Sequence, residues 1–169
     1  MTELRSGKLK VSAELEKALW AGIAGEISEG GHRLAVRVYF EDTDFSGLVY
    51  HTSYLRWCER GRSDFLRLLG IGHSALANGA FAGEPCAFAV RRINADFLKS
   101  ARIDDILEVH TSAGAVTKAS ITLKQTIARE AEAIFRLEAQ CVLIAASGRL
   151  LRLPAALSSL LPKGPEPVL

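Results

Sequence analysis

Leu34, Val36, Val38 and Phe40 alternate with Arg33, Ala35, Arg37 and Tyr39, a period of two that predicts a strand ending near Glu41. The period then changes. Tyr54, Trp57, Cys58, Gly61, Phe65, Leu68 and Leu69 recur at helical spacing, with Leu55 and Leu66 widening the stripe. This predicts a long helix from about Ser53 to Leu69, with Gly70 as its terminator. Four strand-like stretches follow: residues 87–97, 106–112, 120–127 and 134–145. In the third, Ile121, Leu123, Gln125 and Ile127 fall on one face, and Ser120, Thr122, Lys124 and Thr126 on the other. A mostly antiparallel sheet with one buried face is implied. One apolar helix after the first strand is satisfied by a sheet that curls around it, and equally by a sheet packed against a helix on one face.

Residues 1–31 carry a short helical pattern around Leu15 to Ile23 and then Ser28, Glu29, Gly30 and Gly31, and read as an N-terminal appendage. Residues 32–154 form the expected domain. Pro154, Pro162, Pro165 and Pro167 make residues 155–169 a Pro-rich tail, unsuited to helix interiors and central strands. No internal repeat or low-complexity tract interrupts the chain.

Composition narrows the function classes. The chain has 169 residues, 49% hydrophobic and 24% charged, which is one globular domain with enough length to bury a core without disulfides or metal. The net charge is +2, with basic residues scattered among acidic ones, so nucleic acid is a poor partner. Cys58, Cys86 and Cys141 are odd in number and far apart, which suits a reducing compartment. The N-terminus lacks a basic-then-apolar signal and no apolar run spans a bilayer, so the expected location is cytoplasmic.

Tyr39 to His51 places Glu41, Asp42 and Asp44, then Gly47 and His51, between a strand and a helix. Phe45, Gly47, Leu48 and Val49 follow Asp44, so its carboxylate is expected in a partly apolar cleft where desolvation raises its basicity. Such a carboxylate acts as base or nucleophile. The start of the helix near His51 offers unpaired N–H groups to a carbonyl or a developing oxyanion. On residue type alone, Asp42, Thr43 and Asp44 are better read as turn formers and helix-start residues.

Val38 to Asp44, then Gly47, Val49, Tyr50, His51, Tyr54, Glu59, Arg60 and Arg62, resemble the signature of the 4-hydroxybenzoyl-CoA thioesterase family. They are more closely similar to its YbgC-like branch, the acyl-CoA thioesterases associated with the bacterial Tol-Pal system. The similarity continues through Ala89 to Arg92, Phe97, Ala101 to Asp105, Leu107 and Glu108, and covers about residues 33–154.

The resemblance implies an α+β hotdog fold, a long central helix wrapped by a curved antiparallel sheet. It implies a homodimer or homotetramer with active sites between protomers, acyl-CoA as substrate, acyl carrier protein as a partner, and no cofactor beyond the CoA of the substrate. It carries the catalytic aspartate onto Asp44 and the carbonyl-polarising helix start onto His51, with Gly47 and Tyr50 beside the substrate and Asp42 structural. The CoA-binding strand junction falls on Lys118 and Ser120. The related hydroxybenzoyl enzymes have an aromatic residue where this chain has His51, so a strict aromatic-acyl specificity is not implied.

Other readings start from the same residues. Asp44 and His51 also suit the proton shuttle of a hotdog hydratase or dehydratase, and a third reading is a non-catalytic partner of acyl carrier protein or envelope machinery. Asp42, Asp44 and His51 lack a further ligand at metal spacing, so no metal is expected. Cys58, on the apolar face of the helix, reads as a core thiol. No Gly-x-Ser-x-Gly elbow is complete. His32, His73 and His110 read as surface or structural residues, and Glu59 and Arg62 as an ion pair on the helix.

Overall fold

The computed structural model describes residues 23–28 and 30–161. The expected helical pattern that ends at Ile23, up to that residue, and the prolines at 162, 165 and 167 lie outside the described residues. Seven strands form one antiparallel sheet: β1 (Glu26–Ser28), β2 (Gly31–Arg37), β3 (Cys86–Phe97), β4 (Ile106–Val116), β5 (Ser120–Arg129), β6 (Glu132–Ala145) and β7 (Leu150–Leu151). Their order is β1-β2-β4-β5-β6-β3, with β7 on the end of β6 that β5 does not reach. The helices are α1 (His51–Leu68), α2 (His73–Ala77) and α3 (Ala155–Leu160).

The sheet curves around α1, the hotdog arrangement the resemblance implies. Trp57 and Phe65 of α1 are buried against Leu107 and Val109 of β4, Ile121, Leu123 and Ile127 of β5, and Phe135 and Leu137 of β6. Each fully buried aliphatic side chain contributes roughly 1.5–3 kcal/mol. Gly61 permits the close approach: a Cβ there would lie 3.0 Å from the Thr111 hydroxyl and from a Val109 methyl. Glycine inside a helix costs about 1 kcal/mol relative to alanine, and the tight helix–sheet contact offsets that cost. At the other end of α1, the Gly70 N–H donates to the Arg67 carbonyl at 3.0 Å and the Ile71 N–H to the Leu66 carbonyl at 2.8 Å. Those two bonds terminate the helix where Gly70 predicts it.

Several expectations change. The first long strand ends at Arg37, not near Glu41, because Val38 turns aside to exchange backbone bonds with Asp104 and Asp105. Phe40, which continues the alternation in sequence, is exposed in a 3-10 turn over Phe40–Asp42. The sheet also begins before residue 32, since β1 pairs with β2. Past Pro154 the chain continues as α3, whose Leu157 is fully buried, with Leu153 and Leu161 buried on either side. Both segments carry apolar groups or ladder bonds that only the folded sheet can pair.

Strand β3 shows why alternation fails as a guide there. Cys86, Phe88 and Val90 pair with Ala145, Leu143 and Cys141, whereas Ile93, Ala95 and Phe97 pair with Ala139, Leu137 and Phe135. Directly paired residues share a face. A bulge between Val90 and Arg92 therefore moves the helix-facing positions from even to odd numbers.

Candidate active site

The loop from Thr43 to Val49 is a closed turn whose ends pair with each other. The Gly47 N–H donates to the Asp44 carbonyl at 3.0 Å, and the Asp44 N–H to the Leu48 carbonyl at 3.0 Å. Asp at the first turn position and Gly at the fourth, with Gly47 at φ +74°, are the residue types this turn requires. The Asp44 carboxylate accepts the Ser46 N–H at 2.8 Å and also the Ser46 hydroxyl. The Ser46 hydroxyl and N–H hold the Asp44 carboxyl below the usual carboxylate range, against a smaller opposing effect of burial. The desolvation expected at Asp44 is therefore not seen in the single chain: Asp44 is exposed, and Phe45 beside it is fully exposed.

Asp42 joins this loop to the helix. Its carboxylate accepts the Tyr39 N–H at 2.9 Å, and its carbonyl accepts the Tyr50 N–H at 2.8 Å and the Ser53 hydroxyl at 3.2 Å. That is a structural role. Tyr50 precedes α1 and makes no side-chain cap, and no acidic residue occupies the first turn. The His51 end of the helix thus keeps backbone donors with no side-chain acceptor. The Tyr50 and His51 rings lie 4.3 Å apart.

Two cavities flank the loop. One of about 530 Å³ is lined by Phe40, Thr43, Asp44, Phe45, Gly47 and Ile103. The other, about 250 Å³, contains Leu48, His51, Tyr54 and Phe97 in its wall. Asp44 and Gly47 thus line one cavity and His51 the other, with Tyr50 preceding the helix between them in sequence. Lys118 and Ser120 are not with them. They belong to the turn between β4 and β5, at the end of β5 opposite Arg129. A strand of this length spans roughly 30 Å at about 3.4 Å per residue. Lys118 lines a cavity of about 580 Å³ with Thr117, Arg152 and Ser158. Ser120 is buried, its hydroxyl 3.0 Å from that of Thr117 and 3.5 Å from the Gln140 amide nitrogen.

Other readings resolve as follows. Cys58 is fully buried, and burial pushes its thiol up to about 12, far from thiolate chemistry at neutral pH. The expected Glu59–Arg62 pair does not form. Arg62 turns under the helix and donates to Gln125 at 2.8 Å, while Glu59 accepts the Ser63 hydroxyl at 2.7 Å. His32 is buried with Nε2 2.8 Å from Asp64, a structural contact. Among the described residues no group of three His, Cys, Asp or Glu side chains is placed to hold a metal ion, and no helix is long and apolar enough to cross a membrane.

Sequence reasoning missed Ser46 and Arg152, and gave the segment after β3 no place at the site although its Ala101 to Asp105 carry part of the resemblance. The Asp-x-Ser spacing signals the first. No local pattern signals Arg152 or the position of that segment, which reach the site regions through the fold.

Four likenesses to known proteins bear on this arrangement. The acyl-CoA thioester hydrolase YbgC of Escherichia coli O6:H1 is 39% identical over 95 residues, which are 56% of this chain and 67% of that protein. The crystal structure of a probable thioesterase from Bartonella henselae superimposes with a TM-score of 0.70 at 38% identity, covering 73% of this chain and 98% of that one. A 4-hydroxybenzoyl-CoA thioesterase mutant complexed with 4-hydroxybenzoyl-CoA gives a TM-score of 0.70 at 19% identity over 77% of this chain and 97% of that one, a likeness of fold. The sequence model of the thioesterase superfamily matches residues 46–134, more than half of the chain, and the chain belongs to that superfamily.

Proposed function

We propose that this chain hydrolyses the thioester of acyl-CoA, consuming water and releasing a carboxylic acid and CoA. The observation that carries the reading is that one short loop holds an ionised, exposed carboxylate, Asp44, beside the uncapped start of an 18-residue helix. The N–H groups near His51 polarise the thioester carbonyl, and Asp44 activates water or attacks the carbonyl carbon itself. The similarity to acyl-CoA thioester hydrolases supports this substrate class.

The site is completed by a second copy. β3 ends the sheet order, and Val90, Ile93 and Phe97 along it are exposed apolar residues. An open apolar edge favours strand pairing. Antiparallel pairing of two β3 strands about a two-fold axis sets the Cys86 end of one chain beside the Phe97 end of the other. The site loop bonds to Ala101, just past Phe97, while Ala89 and Ser120 both pair with Val142 and so mark the Lys118 end. Asp44 of one protomer then meets Lys118 and Arg152 of the other, cations suited to CoA phosphates. The same contact covers Phe40, Phe45 and Ile103, which stand exposed around Asp44.

The test is CoA release from saturated acyl-CoAs, followed with a thiol reporter. Asp44→Asn is expected to lower kcat about 10³-fold, within the range of general acid–base effects. A hydratase or dehydratase releases no CoA from these substrates, and a purely binding protein shows none in the parent; either result rejects the reading. Co-refolding Asp44→Asn with Lys118→Glu is expected to restore about a quarter of parent activity, because half the dimers are mixed and each regains one intact site. Mixtures no more active than their components reject the shared site.

A further inference from the structure

The site loop is held by a strap, residues 98–105, that links β3 to β4. The Val49 N–H donates to the Ala101 carbonyl at 2.9 Å, and Leu48 pairs with Arg102. The strap also forms part of both cavities beside the loop. Ile103 faces the cavity of Asp44, and Leu98, Lys99 and Ser100 line the cavity of His51. Its position therefore sets the distance between the carboxylate and the helix start.

Backbone bonds from Leu98 and Lys99 to the Ile134 carbonyl and the Lys99–Glu132 pair tie the start of the strap to β6, and two further side chains hold the rest. The first is Tyr54, three residues after His51 and 3% exposed, whose hydroxyl accepts the buried Ala101 N–H at 2.9 Å. Its ring stacks on Phe135 at 5.2 Å and meets Trp57 and Phe97 edge-on, so the hydroxyl has little freedom. The second is Arg129 at the end of β5. It donates to the Asp105 carboxylate at 2.8 Å and to the Ser100 carbonyl at 3.4 Å. Asp105 in turn accepts the Arg102 N–H at 3.0 Å. Asp104 between them adopts φ +69°, an unfavourable angle for a non-glycine residue that persists only where its surroundings enforce it. The carbonyl of Asp105 accepts the Val38 N–H and the Asp104 N–H donates back to Val38, fastening this corner to the chain that leads into Asp42.

We propose that Tyr54, Asp105 and Arg129 are positioning residues for thioester hydrolysis, acting through the strap to set the reach of Asp44 toward a carbonyl at the His51 end of α1. This rests on the catalytic reading of Asp44. None of the three contributes a reacting atom. A displacement of about 1 Å at a reacting group costs up to about 10²-fold in rate, so a slackened strap registers in kcat.

The experiment compares Arg129→Met and Tyr54→Phe with the parent, at a temperature where each variant is shown to be folded. Both are expected to lower kcat at least about 10-fold while KM stays within about 2-fold, with Arg129→Lys recovering most of the loss. In the Asp44→Asn background neither change is expected to lower the residual rate further, since no carboxylate remains to be aimed. Hydrogen exchange at the Val49 amide is expected to accelerate in Arg129→Met. A lowered Tm with parent kcat in both variants, or losses that simply add to that of Asp44→Asn, overturns the proposal. Full turnover in Asp44→Asn overturns the catalytic reading and with it the strap's role; a disabled Asp44→Asn beside fully active strap variants overturns the strap alone.

Discussion

The polar cluster beneath α1 and the polar loop ahead of it use similar side chains and meet opposite surroundings. Under the helix, Gln125 donates to the Cys58 carbonyl at 2.7 Å and the Thr111 hydroxyl at 2.9 Å, and accepts from Arg62 at 2.8 Å. Gln125, Thr111 and Arg62 are all buried. In the loop, Asp44 takes its side-chain bonds, among the described residues, from Ser46 alone and faces water. The buried cluster spends its hydrogen-bonding groups on one another, so removing any member leaves its partners unpaired in a low-dielectric interior. Asp44 keeps its remaining acceptor capacity open to solvent. Residue type does not separate structure from chemistry here; exposure and unused bonding capacity do.

The largest effect expected from this contrast is in the loop. Asp44→Asn keeps the shape and the turn bonds, so Tm should stay near that of the parent while kcat falls about 10³-fold, equivalent to roughly 4 kcal/mol of transition-state stabilisation. Calorimetry and steady-state kinetics on one preparation read both quantities. A variant that unfolded early and kept its turnover per folded molecule would erase the distinction between the two regions.

Gln125→Leu should do the reverse. It strands the Arg62 guanidinium and the Thr111 hydroxyl, while the Cys58 carbonyl keeps its bond within the helix, at a cost of about 2–3 kcal/mol. For a chain of this size that lowers Tm by roughly 4–12 °C. Turnover per folded molecule should hold, because Cys58 and Arg62 lie about two to three turns along α1 from His51. Urea unfolding with a kcat measured well below the transition checks both parts; a large loss of kcat without loss of stability would show that the buried cluster serves the site.

The unequal legibility of these regions has physical causes. β5 is readable because its buried face is uninterrupted, and Gln125, a polar residue on the apolar face, correctly marks a buried position. β3 is not, because one extra residue shifts its phase and its open edge leaves Val90, Ile93 and Phe97 exposed. Glu59 and Arg62 have the spacing of a helical pair, but Gln125, distant in sequence, offers Arg62 a buried acceptor, and that non-local bond prevails. For Asp44 the turn reading and the proposed catalytic reading turn out to be compatible: Asp44 and Gly47 build the turn, and the turn presents the carboxylate. Ala101 to Asp105 of the strap carry part of the resemblance, but their place beside the loop comes, like that of Arg152, through tertiary pairing that no window of sequence contains.

The smallest effect, and the one that sharpens the comparison most, concerns Ser46. Its hydroxyl and N–H both donate to the Asp44 carboxylate and favour the charged form, which holds the carboxyl below its ordinary range. Ser46→Ala deletes the hydroxyl and leaves the backbone N–H. The carboxyl should then titrate at higher pH, because the charged form has lost its strongest donor while the neutral form has lost little. If the carboxylate is the active form, activity is present above that titration and lost as pH falls through it. The acid limb of kcat/KM should accordingly move to higher pH in Ser46→Ala, while the rate on the neutral plateau changes little. A carboxyl NMR titration of Asp44 should shift in the same direction. Buried Gln125 carries no titrating charge, so Gln125→Leu should leave the limb in place. A limb that moved in Gln125→Leu and stayed fixed in Ser46→Ala would mean that the titrating group behind the rate is not Asp44.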